Sequence, residues 1–147
     1  MAGKNVIVVP TDFSELSQAA LPWARRMAEQ MQAEIHCVYV VEEPHIYATL
    51  DMGPVPIPSV EELTRSAEKR MEAFSSANLK GLGKVSTKVI VGRPAEEVVR
   101  YAKEHQAALI IMTTHGYSGV KHVLLGSTTE AVLRHAACPV LSIRNSQ

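Results

Sequence analysis

Runs rich in valine and isoleucine recur along the chain, each six or seven residues long and each bounded by turn residues. They read NVIVVP (5–10), IHCVYVV (35–41), VSTKVIV (85–91), ALIIMTT (108–114) and PVLSIR (139–144). Runs of this kind predict strands buried on both faces of a parallel sheet. The intervening stretches have helical periodicity instead. From Ser14 to Gln32, apolar residues fall at 16, 19, 20, 23, 24, 27, 28 and 31, which predicts one helix with one apolar face. Residues 59–79 open with Ser59 and Glu62 at the spacing of a capping box. The stretch 93–105 places Pro94 where a helix begins and His105 near its end. A fourth helix starts at Ser127, again with an acid three residues on, Glu130, and carries His135 as a cation at its far end.

The resulting order is β-α-β-α-β-α-β-α-β. Such alternation predicts an α/β fold with helices on both faces of a parallel sheet. Right-handed crossovers favour an open, doubly wound, five-stranded sheet, and residues 1–147 read as one domain without internal repeats. One connection breaks the regularity. Residues 42–58 carry four prolines and a glycine between the second strand and second helix. A segment of that length is either a flap or partner surface, or a variable surface excursion.

In an open sheet, ligands settle beyond the carboxyl ends of the strands, where the strand order reverses. With the order 3-2-1-4-5, the loops after strands one and four face each other there. The first reads PTDFSE, in which Pro10 stops the strand and Asp12 or Ser14 caps the next helix. Asp12 is also placed to anchor a sugar, a base or a magnesium ion from the edge of the crevice. The second reads MTTHGYSGVKHVLLGST, from Met112 to Thr128. Gly116 and Gly119 permit close backbone approach, Lys121 adds a cation, and Gly126 precedes the hydroxyls of Ser127, Thr128 and Thr129 at a helix N-terminus. Phosphate binding fits these residues, and so does a tight turn with a capped helix.

These stretches resemble the universal stress protein family. The resemblance runs from VIVVPTDFSELSQAAL through VIVGRPAEEVVRYAKEHQAALIIMTTHGYSGVKHVLLGSTTEAVLRHAACPVLSI and so covers nearly the whole chain. ATP-binding members of that family show glycine, two residues, glycine, nine residues, then glycine with serine or threonine. Gly116, Gly126 and Ser127 match this spacing, whereas Thr113 stands at the first glycine position. A threonine there adds a β-branched side chain and excludes glycine-only conformations. The resemblance implies an adenine nucleotide alpha hydrolase-like fold and ATP, with magnesium near Asp12. It implies that Pro10, Thr11, Asp12, Val40 and Met112 surround base and sugar, with Thr113 beside them. Gly116, Gly126, Ser127 and Thr128 would hold the phosphates. It also implies a homodimer joined through the last strand, 139–144, acting in stress response or signalling. The alternative is a dimeric interaction protein that binds no nucleotide because Thr113 closes the pocket. A slow ATP hydrolase ranks last.

Composition narrows the rest. Lysine plus arginine number 15 and so do aspartate plus glutamate, which argues against nucleic-acid and membrane-surface partners. No apolar run approaches the roughly 20 residues of a membrane span, and the short N-terminal run ends in proline, so a cytoplasmic chain is expected. Cys37 and Cys138 form no paired motif and read as small buried residues. His115 and His122 match no zinc spacing, and no dedicated metal site is expected. Ser118 is followed directly by Gly119, which breaks the nucleophile-elbow pattern, and no Walker loop is present. Without that lysine, an enzyme of fast phosphoryl transfer is not expected. Trp23, Tyr39 and Tyr101 read as core.

Overall fold

The computed structural model describes residues 5–44, 57–114 and 125–144. Each apolar run becomes a strand: β1 Asn5–Pro10, β2 Ala33–Val41, β3 Val85–Val91, β4 Leu109–Thr113 and β5 Val140–Ile143. All pairings are parallel, in the order β3-β2-β1-β4-β5. The connections are α1 Glu15–Gln18, α2 Leu21–Met31, α3 Val60–Phe74 with a π-helical turn at Ser75–Leu79, α4 Pro94–Glu104, and α5 Ser127–His135. This is the doubly wound architecture expected from the alternation.

Strand parity sorts the core into two layers. Ile7, Val9, Ile35, Cys37 and Ile111 face α2 and α3, where Leu21, Ala24, Met71 and Phe74 meet them. Val6, Val8, Val38, Ile110 and Met112 face the other way, against Val98 and Tyr101 of α4 and Val132 of α5. Ile7, Ile35, Ile110 and Ile111 are wholly buried, and each such side chain contributes about 1.5–3 kcal/mol from burial. Both faces are covered, which is why these strands lack polar alternation.

The predicted helix over 14–32 divides into α1 and α2. Pro22 has no N–H to donate to the carbonyl of Gln18, and its ring crowds that carbonyl, so α1 ends there. The chain restarts at Leu21, and the inward stripe becomes Leu21, Ala24 and Ala28. Trp23 lies at the flank of this stripe, 42% exposed, with the Arg26 guanidinium 5.2 Å from its ring centroid. The expectation of a core tryptophan fails because the face turned to the sheet, Ala20, Ala24 and Ala28, is narrower than the run of apolar positions. Tyr101 is buried as expected, Tyr39 is partly buried, and Cys37 is buried while Cys138 is half-buried; both cysteines are free. The capping box on α3 forms: Ser59 Oγ accepts from Glu62 N at 3.1 Å, and Glu62 Oε2 accepts from Ser59 N at 3.3 Å. Among the described residues no helix is long and apolar enough to cross a membrane.

Candidate functional site

β1 and β4 are neighbours at the point where the winding reverses, since β1 leads to helices on one face and β4 to a helix on the other. The loop after β1 is held by its own side chains. Thr11 N donates to Val38 O at 2.9 Å, carrying the ladder one residue beyond the strand. Thr11 Oγ1 accepts from Phe13 N at 3.0 Å, and Asp12 Oδ1 accepts from Ser14 N at 2.9 Å and from the Ser14 hydroxyl. Ser14 in turn caps α1, its Oγ accepting from Ser17 N at 3.1 Å. Of the two capping candidates, Ser14 is therefore the cap and Asp12 the group that fixes it.

This tight turn places Phe13 in the left-handed region at φ +66, a conformation uncommon for a bulky side chain. Three neighbours hold it. The Phe13 ring lies 4.4 Å from that of Tyr39 and 5.6 Å from that of Phe74, with the Arg70 guanidinium 4.8 Å away. Backbone strain of this kind costs roughly 1–3 kcal/mol and persists where the surroundings over-determine it.

Opposite, Met112 and Thr113 end β4 as buried strand residues, with Thr113 in register with Ile143. The Thr113 backbone is extended and has no positive φ. The position therefore makes no conformational demand that only glycine could meet. Gly126 N donates to Thr114 O at 2.7 Å, and Thr129 Oγ1 donates to Thr113 O at 2.8 Å. These two bonds pin the first turn of α5 to the end of β4. They also correct the expected capping box: Gly126 is the cap, with φ −68 and ψ 155, and Ser127 is the first helical residue. Glu130 accepts from Arg134 at 2.8 Å instead of reaching back to the cap. Among the described residues no side chain caps α5, and its first-turn N–H groups and dipole favour an anion.

Between these loops lies a crevice of about 690 Å3, within the usual range for small-molecule sites of roughly 300–1,000 Å3. Pro10, Thr11, Asp12, Val40, Met112, Thr113, Gly126, Ser127 and Thr128 all line it. Gly116 lies outside the described residues, as do His115, Ser118, Gly119, Lys121, His122 and most of the 42–58 connection. Sequence reasoning missed the wall supplied by α3, where Leu63, Ser66, Ala67 and Arg70 line the crevice. Their i, i+3, i+4, i+7 spacing is the signal that was available, with an arginine ending an otherwise small and apolar stripe. Glu42, Pro94 and Val98 were not anticipated either, nor were Ser17, Val38, Tyr39 and Val41.

The profile of the universal stress protein family matches residues 4–144. The chain belongs to the universal stress protein family. Universal stress protein MJ0531 of Methanocaldococcus jannaschii is 33% identical over 145 residues, covering 97% of this chain and 85% of that protein. MJ0577 from the same organism, also a universal stress protein, is 34% identical over 152 residues, covering 94% of this chain and 93% of its own. Its solved structure, described as a test case of structure-based assignment of biochemical function, superposes with a TM-score of 0.76 over 99% of both chains. A universal stress protein from Archaeoglobus fulgidus, solved in complex with dAMP, shares the fold at a TM-score of 0.66 and 19% identity, over 97% of this chain and 99% of that one.

Titratable groups displaced from their ordinary values lie away from this universal stress protein crevice. Burial pushes the Cys37 thiol up to about 12, which leaves it an unreactive packing residue. Burial also raises Tyr101 and lowers His36, with Glu34 opposing the shift on His36 and His105 reinforcing it. His36 Nδ1 and the Tyr101 hydroxyl are 2.8 Å apart, and His105 stacks on Tyr101 at 3.9 Å. Burial raises the Cys138 thiol too, and none of Cys37, His36, Tyr101 and Cys138 lines the crevice.

Proposed function

We propose that this universal stress protein binds an adenine nucleotide, ATP, in the crevice between the β1 and β4 loops, and acts as a dimeric stress-response or signalling protein of the cytoplasm. One observation carries the reading: the N-terminus of α5, which no side chain caps among the described residues, stands across a single crevice from the Thr11–Asp12 turn. The helix terminus suits phosphate, and the turn offers a fixed carboxylate for the sugar or base end. Magnesium arriving with the nucleotide would find Asp12 and Glu42 as the carboxylates of the described lining. The crevice is open with Thr113 in its wall, which favours this reading over an interaction protein whose pocket Thr113 closes.

Binding rather than turnover is proposed. Among the described lining residues the charged side chains are Asp12, Glu42 and Arg70, a poor set for rapid phosphoryl transfer. ATP would act by favouring one of two states of the dimer or of the 42–58 connection. The dimer itself is proposed through β5, whose outer edge is unpaired among the described residues. Ser127→Asp tests the site directly by placing a carboxylate in the first turn of α5. Equilibrium dialysis with labelled ATP should show binding to the wild type and a loss of at least about tenfold in the variant. Equal binding by both proteins would remove α5 from the site.

A further inference from the structure

The α3 wall carries a charge that the two loops do not account for. Arg25, Arg93, Arg100 and Arg134 each pair with a carboxylate three or four residues away, and Lys84 lies 3.6 Å from Glu34. Arg70 makes no such pair among the described residues, and it is the one lysine or arginine in the described lining. Its guanidinium is held over the face of Phe13, which is itself buttressed by Tyr39 and Phe74. Stacking uses the guanidinium's flat face and leaves its N–H edge available for hydrogen bonds. The described lining otherwise carries two carboxylates, Asp12 and Glu42, which oppose an anion. The α5 N-terminus offsets them only in part, with roughly half a positive charge.

We propose that Arg70 sets the charge preference of the crevice, favouring a nucleotide with a polyphosphate chain over the nucleoside. This rests on the nucleotide reading above. Phe13 is the positioning residue: its backbone stands in the left-handed region and its ring lies 4.8 Å from the Arg70 guanidinium.

Calorimetric titrations of the full chain with ATP, AMP and adenosine, with magnesium, compare the wild type with Arg70→Met and Arg70→Lys. Arg70 is exposed on α3, so both variants should keep the fold, and thermal unfolding checks this. In Arg70→Met, ATP affinity should fall at least about tenfold, AMP affinity should fall less, and adenosine should be unchanged. Arg70→Lys keeps the charge but not the flat face that stacks on Phe13, so its ATP affinity should lie between those of the wild type and Arg70→Met. Equal weakening toward all three ligands would reduce Arg70 to a packing role on Phe13 and overturn the proposal. Unchanged ATP affinity in Arg70→Met would overturn it as well. A wild type that binds none of the three would instead bring down the nucleotide reading, and this inference with it.

Discussion

Thr113 is where a single side chain decides most. From sequence it stands against a glycine pattern, and the concern is a conformation that a β-branched residue cannot reach. In the fold it is an extended strand residue whose carbonyl accepts from Thr129, so the backbone is indifferent to the substitution. What remains is one extra side chain in the crevice wall. Ser142 offers a second test at this scale. Its hydroxyl is buried without a hydrogen-bond partner among the described residues, so Ser142→Ala should be neutral or stabilising by up to about 1 kcal/mol in urea denaturation. A clear loss of stability would show that the hydroxyl is satisfied. His36 gives a pH signature. Its folded pKa lies below 6.5, first because of burial, so the unfolded chain takes up the proton sooner as pH falls. The stability tied to neutral His36 is fully present above 6.5 and is lost progressively as pH drops below that value. Denaturation midpoints about one unit either side of 6.5 should fall more steeply in the wild type than in His36→Gln. Parallel slopes would contradict this.

Among the elements, the strands were the most legible because burial on both faces writes continuous Val and Ile into them. The loops beyond β1 and β4 were legible for a different reason: turn residues and helix caps use a small chemical alphabet. Two features escaped. The break at Ala19–Ala20 depends on Pro22 acting four residues upstream, and an apolar count over 14–32 averages across it. The α3 wall escaped because a stripe says which residues share a face, not that its upper end overhangs a crevice. The bond from Thr129 to Thr113 O holds α5 against β4 at the floor of the site. Thr129→Val keeps the shape and removes the donor, which should cost about 1–3 kcal/mol and weaken ATP binding together. Stability lost without any effect on binding would separate the helix from the site. Gly92, between β3 and α4, has φ +154, and a Cβ there would meet Glu97 Cγ at 2.6 Å. The Glu97 side chain can move aside, but the backbone conformation cannot be relieved in that way, so Gly92→Ala should destabilise by roughly 1–3 kcal/mol, read from the denaturant midpoint.

For the whole molecule, the β5 edge is the proposed meeting surface, since β5 ends the sheet and its outer side is unpaired among the described residues. Pro139 O accepts from Ile110 N, and Ile143 O accepts from Thr114 N, so alternate residues of β5 turn their backbone toward β4. Val140 and Ser142 therefore present theirs to the outer edge. A proline at 142 removes an outward donor while leaving the ladder to β4 intact. Wild-type protein should sediment at about twice 16.0 kDa, and Ser142→Pro at 16.0 kDa with unchanged circular dichroism. A variant that stays dimeric would move the interface elsewhere.

The most direct test of the account is calorimetric titration of the wild type and of Thr113→Gly with ATP and magnesium. The wild type should bind with a dissociation constant on the order of micromolar, and the glycine variant within several-fold of it. Binding by the variant alone would contradict the account, because Thr113 would then close the crevice rather than line it.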